Sequence, residues 1–81
     1  MPHQLHLNYF AILREQRGLT TESLTTTAET PRILYEELRR KYHFTLPLER
    51  VRVAIDDAFV PWDEPLKDGQ SVAFIPPVAG G

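Results

Sequence analysis

The sequence contains no cysteine. That excludes a disulfide scaffold, cysteine-ligated zinc, iron–sulfur clusters and thiol catalysis, and it leaves packing alone to hold the fold. No apolar run approaches the ~20 residues that a bilayer-spanning helix needs. The opening MPHQLHLNYF lacks the basic start and long apolar stretch of a secretory signal. A cytoplasmic location is therefore expected. Neither charge is in large excess: nine Lys and Arg stand against eleven Asp and Glu, a formal net charge of −2. Neither nucleic acid nor an anionic membrane is an expected partner of such a chain. Its 81 residues make one small domain with a thin core. A deep substrate pocket and a full catalytic apparatus do not both fit in it. With 42% hydrophobic and 25% charged residues, the chain has the composition of a folded domain.

The hydrophobic pattern gives the order of elements. Leu5, Leu7 and Tyr9 alternate with His6 and Asn8, the period of a half-buried strand. Phe10 to Arg17 then shifts to helix formers, and Gly18 reads as a helix stop. The threonine-rich stretch Leu19 to Ala28 predicts an edge or weakly buried strand. Thr30-Pro31 is a helix start, a capping hydroxyl followed by a proline suited to the first helical position. The helix is predicted to run to about Tyr42, with Leu34, Leu38 and Tyr42 as a core stripe and Tyr35 beside it. Glu36–Arg40 and Glu37–Lys41 are spaced to pair on its surface. The cluster Arg39, Arg40, Lys41 and His43 reads as a solvated helix C-terminus, where the dipole favours cations.

Val51, Val53 and Ile55 alternate as a further strand, Asp56-Asp57 reads as a turn, and Ala58-Phe59-Val60 as a short returning strand. Pro61 and Pro65 exclude regular central strand between them, and Trp62 is placed over one edge of the core. Lys67 to Gln70 is a glycine-containing turn, and the wholly apolar Val72 to Ile75 reads as a central strand. This order predicts an α+β, β-grasp (ubiquitin-like) fold: a mixed sheet of four to five strands covered by one main helix. The division expected is a domain over residues 1–76 and an extended C-terminal tail over 77–81.

Within the domain no catalytic constellation stands out. His3 and His6, three apart in a strand, face opposite ways and have no third ligand nearby, so no metal site is expected. Asp56, Asp57, Asp63 and Glu64 sit where turns are ordinarily acidic. Ser23 and Ser71 lack the surroundings of an activated nucleophile, and no phosphate-binding glycine motif occurs.

The unusual feature is the ending, Pro76-Pro77-Val78-Ala79-Gly80-Gly81. Prolines hold the chain extended, and glycines let it enter a tunnel too narrow for side chains. Five residues beyond Pro76 reach at most ~17 Å. The expectation is that the α-carboxylate of Gly81 is presented to another protein. A carboxylate is a poor electrophile, so reaction there requires prior activation, such as an acyl-adenylate. The activated acyl group can then accept an amine or sulfur. A lone Gly-Gly is also compatible with a frayed end; here it follows an apolar strand and Pro-Pro in a predicted β-grasp pattern.

The ending VAFIPPVAGG resembles that of the small, sulfur-carrier subunits of molybdopterin synthase, the MoaD family. The resemblance spans essentially the whole chain. FAILRE, Phe10 to Glu15, is similar to the family's FA-x-x-RE stretch, and Pro65 to Gly69 to its Pro-Leu-x-Asp-Gly segment before the last strand. Asp56 departs from the Asn that relatives often carry, which touches a turn and not the tail.

The resemblance implies a mechanism and a set of partners. A MoeB-like E1 enzyme adenylates Gly81 with ATP, and a sulfurtransferase or cysteine desulfurase system replaces AMP to give a thiocarboxylate. The tail then enters a MoaE-like large subunit, where sulfur passes to cyclic pyranopterin monophosphate. The complex is a heterotetramer. In that scheme Gly81 is the donor, Gly80, Ala79 and Val78 thread the tunnel, and Pro77 and Pro76 set the exit direction. The chain has no bound cofactor and no catalytic site of its own, since the groups that bind the pterin belong to the partner. Phe10, Phe59 and Ile75 form the expected docking patch, with Arg14 beside it, although each apolar member equally suits the core. The same fold and tail would also serve a sulfur carrier for thiamine or tRNA thiolation, a ubiquitin-like protein modifier, or an interaction domain with an inert tail.

Overall fold

The computed structural model describes residues 2–77. The elements in chain order are β1 (His3–Tyr9), α1 (Ala11–Arg17), β2 (Thr21–Thr26), α2 (Pro31–Tyr42), a short 3-10 turn (Leu48–Arg50), β3 (Arg52–Ile55), β4 (Ala58–Val60) and β5 (Ser71–Ile75). They form a five-stranded sheet in the order β2-β1-β5-β3-β4. β1 and β5 run parallel, and every other neighbouring pair is antiparallel. A mixed sheet whose first and last strands lie side by side at its centre, with one main helix on a single face, is the ubiquitin-like β-grasp fold.

The alternation seen in the sequence sets which face is covered. Leu5, Leu7 and Tyr9 of β1, Val53 and Ile55 of β3, and Val72 and Phe74 of β5 are all buried with Leu34, Tyr35 and Leu38 of α2. Phe74 sits in the middle of this layer, its ring 5.3 Å from that of Tyr35, 6.1 Å from Trp62 and 6.5 Å from Tyr9. β5 is central, as its apolar run predicts, but only Val72 and Phe74 are fully buried; Ser71, Ala73 and Ile75 look out on the helix-free face.

The helix ends follow their sequence signals. Thr30 accepts a hydrogen bond from the Ile33 N–H through Oγ1 at 3.3 Å, and Pro31 opens α2. α2 ends at His43 in the left-handed region, φ 60°. α1 ends at Gly18, φ 82°, whose N–H closes on the Arg14 carbonyl; a side chain there would be strained although space is open. The expected Glu36–Arg40 and Glu37–Lys41 contacts are not made among the described residues. Glu36 instead meets Arg39, one residue earlier, at 3.7 Å.

One polar cluster ties four elements together. Tyr9 Oη donates to Glu22 Oε2 at 2.6 Å, and Arg17 donates to both Glu22 oxygens at 2.8 and 2.9 Å. The Arg17 guanidinium also lies 4.0 Å from the Tyr42 ring centre. The bonds from Arg17 hold the Glu22 carboxyl below its ordinary 4.5, against the opposing effect of burial. Burial, and then the bond to Glu22, push the Tyr9 hydroxyl far above its ordinary 10.0.

Two further features escape the sequence pattern. Phe44 lies in the loop after α2, yet it is buried with its ring 5.9 Å from Tyr35 and 6.1 Å from Tyr9. The Leu48–Arg50 turn carries the chain from α2 into β3, opening after Pro47.

Candidate docking site at the root of the C-terminal segment

The described chain leaves the sheet through Ile75, Pro76 and Pro77. These three residues form a ridge between two hollows. One, about 630 Å³, has Phe10, Ala11, Ile12, Glu15 and Leu46 as its other wall. The second, about 430 Å³, is closed by Glu49, Arg50, Arg52 and Phe59.

The first hollow follows from how β1 ends. Tyr9 pairs with Phe74 in the parallel register, and both point into the core. One residue on, the alternation turns Phe10 and Ile75 to the opposite face. Phe10 remains extended, and Ala11 takes φ 52°, a left-handed conformation that a residue with a Cβ adopts at a cost of roughly 1 kcal/mol or more. That reversal starts α1 at once and leaves Phe10 and Ile12 45% and 37% exposed. The far wall is fastened by Gln16, whose amide donates to Thr45 Oγ1 at 2.9 Å and accepts from the Thr45 N–H at 3.2 Å. Tyr35 Oη donates to the Leu46 carbonyl at 2.7 Å, which fixes Leu46 beside the hollow. Burial pushes that hydroxyl up to about 12.

The second hollow belongs to the helix-free face of the β3–β4 hairpin. Arg52 lies opposite Ile75, and Phe59 opposite Ala54, so Arg52 and Phe59 are diagonal neighbours across the hairpin. The Arg52 guanidinium stacks 4.0 Å from the centre of the Phe59 ring, which is 56% exposed.

The sequence-predicted residues fall as follows. Phe10 and Phe59 are exposed, so the core alternative does not hold for either. Ile75 is half-buried on the ridge shared by both hollows. Pro76 is buried and Pro77 exposed. Arg14 is exposed on α1 and lines neither hollow. Val78, Ala79, Gly80 and Gly81 lie outside the described residues. Ile12, Leu46 and Arg52 were missed. For Arg52 a signal existed, since strand alternation from Val51 and Val53 turns it outward; Leu46 sits in an irregular segment where no periodicity applies.

Among the described residues, no group of three or more His, Asp or Glu is placed to hold a metal ion. His6 Nδ1 is 3.3 Å from Ser23 Oγ on the exposed sheet surface. Among the described residues no acid is hydrogen-bonded to the other His6 nitrogen, so the orienting third group of a nucleophilic site is not found there. The site presents apolar surface and two arginines at the root of the C-terminal segment. No helix among the described residues is long and apolar enough to cross a membrane.

Fold and site together define a ubiquitin-like β-grasp protein with an exposed apolar collar where its C-terminal segment leaves the sheet. The chain belongs to the ThiS family, which matches residues 7–81. It is 36% identical over 80 residues to the molybdopterin synthase sulfur carrier subunit of Escherichia coli strain K12, covering 90% of this chain and 94% of that one. Among solved structures, the putative molybdopterin converting factor subunit 1 from Pyrococcus furiosus is 29% identical with a TM-score of 0.75, over 94% of this chain and 99% of that one. A chain from the complex of subunits 1 and 2 of the molybdopterin-converting factor of Helicobacter pylori 26695 is 25% identical with a TM-score of 0.65, over 96% and 99%.

Proposed function

We propose that this chain is the sulfur-carrier subunit of a molybdopterin synthase. The observation that carries the reading is the near full-length similarity to the Escherichia coli subunit of that function. The collar of exposed Phe10, Ile12 and Phe59 with half-buried Ile75 at the root of the C-terminal segment supports it.

In this reading the Gly81 carboxylate attacks the α-phosphorus of ATP on a MoeB-like E1 enzyme, releasing pyrophosphate. A persulfide on a sulfurtransferase or cysteine desulfurase then attacks the acyl carbon and AMP leaves; a thiol next attacks the donor-side sulfur of the acyl disulfide, forming a new disulfide and releasing the acyl sulfur. The resulting thiocarboxylate is anionic at neutral pH and needs no local base. The collar docks on a MoaE-like large subunit, Val78 to Gly80 thread its channel, and the sulfur passes to cyclic pyranopterin monophosphate. Hydrolysis of the acyl–sulfur bond returns the Gly81 carboxylate. The dithiolene takes two sulfurs, so two loaded carriers serve each pterin, as a heterotetramer with one carrier at each end of a large-subunit dimer would allow.

The test is intact mass after incubation with ATP, a competent E1-like activator and a sulfur source. Replacement of one oxygen by sulfur, localised to Gly81, is expected, followed by molybdopterin formation once the large subunit and pterin are added. A Gly81→Ala variant, or a chain extended by one residue, should fold normally and lose sulfur transfer at least a hundredfold. Normal transfer by either variant defeats the mechanism, and high-mass lysine conjugates in place of molybdopterin would mark a protein modifier.

A further inference from the structure

We infer that Arg52 is a specificity anchor of the docking surface, built to receive a carboxylate from the partner protein. The inference rests on the proposed docking of this face to a large subunit and adds the chemistry that the partner must present there.

Arg52 has the placement and the free donors for this role. It stands on the helix-free face of β3, directly across from Ile75 and therefore beside the root of the C-terminal segment. Its guanidinium carbon lies 4.0 Å from the centre of the Phe59 ring, a cation–π contact that places the group over an apolar surface. Arg17 pairs with Glu22, Arg32 with Asp63 and Arg39 with Glu36; Arg14, Arg40, Lys41 and Lys67 make no ion pair among the described residues, but none of them lines either hollow at the root of the C-terminal segment. Among the described residues, no carboxylate lies within ion-pair distance of Arg50 or Arg52, and no hydrogen bond uses the Arg52 guanidinium.

An arginine set over an aromatic ring, with no partner for its N–H groups among the described residues, matches a bidentate carboxylate. Arg50 in the same hollow adds a second positive charge, with Glu49 as the single acid in that wall. The positive excess selects an anionic group. The Phe59 and Ile75 surroundings, which lose water on docking, strengthen that pair relative to one in open solvent. The occupant is thus an aspartate or glutamate on the partner, set in an apolar surround that covers Phe59.

The experiment measures the affinity of the full chain for the cognate large subunit by titration calorimetry, at 50 and 500 mM NaCl. Wild type is compared with Arg52→Gln, Arg52→Lys and Arg52→Leu, each checked for unchanged thermal unfolding. The expected result is a loss of about tenfold or more for Arg52→Gln and Arg52→Leu at low salt, partial retention by Arg52→Lys, and a weaker salt dependence in both neutral variants. Equal or tighter binding by Arg52→Leu would show a purely apolar contact and overturn the inference while leaving the proposed function standing. A full-length chain whose Gly81 carboxyl is capped as the amide separates the remaining alternative, that Arg52 holds this chain's own terminal carboxylate. If the Arg52→Gln effect vanishes in that background, the partner carboxylate is refuted. If wild type itself fails to bind the large subunit, the proposed function falls and the inference with it.

Discussion

The two faces of the sheet use the same residue types in opposite ways. On the covered face, Tyr9, Tyr35, Trp62 and Phe74 pack ring to ring under α2, and Arg17 is paired with Glu22 and stacked on Tyr42. On the open face, Phe59 and Phe10 are exposed, and Arg52 stacks on Phe59 with no acid paired to it among the described residues. A buried aromatic contributes to folding and is closed to any partner. An exposed one adds little to folding and is available to a second protein. An 81-residue domain has little core to spare, so aromatic surface left in water is conspicuous.

The sharpest way to break the contrast is to truncate one aromatic from each face. Phe74→Ala removes a fully buried ring that touches three others and should cost about 3–5 kcal/mol, a large part of the roughly 5–15 kcal/mol that holds a small domain. Phe59→Ala should cost under about 1 kcal/mol in urea unfolding, chiefly the lost stack with Arg52, yet weaken large-subunit binding about tenfold or more. Comparable destabilisation by the two substitutions would erase the distinction between the faces.

A smaller effect separates the two arginines. Glu22→Gln removes the charge that Arg17 and Tyr9 share and should cost about 2 kcal/mol at pH 7. Because Arg17 holds the folded-state carboxyl below 4.5, the Glu22 contribution is fully present above that value. It is lost as pH falls through the lowered folded value. The stability gap between wild type and Glu22→Gln should therefore close on acidification from pH 7 to well below 4.5. A gap that persists unchanged would mean that the carboxylate charge is not what holds the cluster.

Legibility in the sequence follows the same division. The core of β1, the Thr30-Pro31 start of α2 and the central position of β5 were readable because each rests on a local period or cap. Phe44 was not, because it reaches the core from an irregular loop where burial depends on how α2 and β1 meet. The Arg17–Glu22 pair was hidden for a related reason: the chain reverses at Gly18, so residues five apart face each other across a turn. The Glu36–Arg40 spacing was a real opportunity that the side chain of Arg39 took instead. For Phe10 and Phe59 the residues alone could not choose between core and surface. The register did so: Tyr9 inward turns Phe10 outward, and Val53 and Ile55 inward put Ala54, with Phe59 opposite it, on the open face.

The smallest expected effect concerns the β3–β4 hairpin, which carries Arg52 and Phe59. Its two turn residues, Asp56 and Asp57, both have positive φ, 49° and 71°, joining Ile55 to Ala58 in a two-residue loop. That loop favours Asn or Asp followed by Gly, because the second position bears most of the steric penalty of a Cβ. Asp56 is secured there: its N–H donates to the Ser71 carbonyl at 2.9 Å, and its Oδ1 accepts from the Ser71 N–H at 3.0 Å. Asp57 has no hydrogen bond of that kind among the described residues. Asp57→Gly should therefore stabilise the domain by about 0.5–1 kcal/mol, the relief of strain exceeding the added freedom of the unfolded chain. Asp56→Gly should destabilise it, by removing the acceptor for the Ser71 N–H. Urea midpoints that move in opposite directions for the two substitutions would confirm this asymmetry. Large-subunit affinity should stay unchanged in Asp57→Gly, since the turn lies at the end of the hairpin away from Ile75.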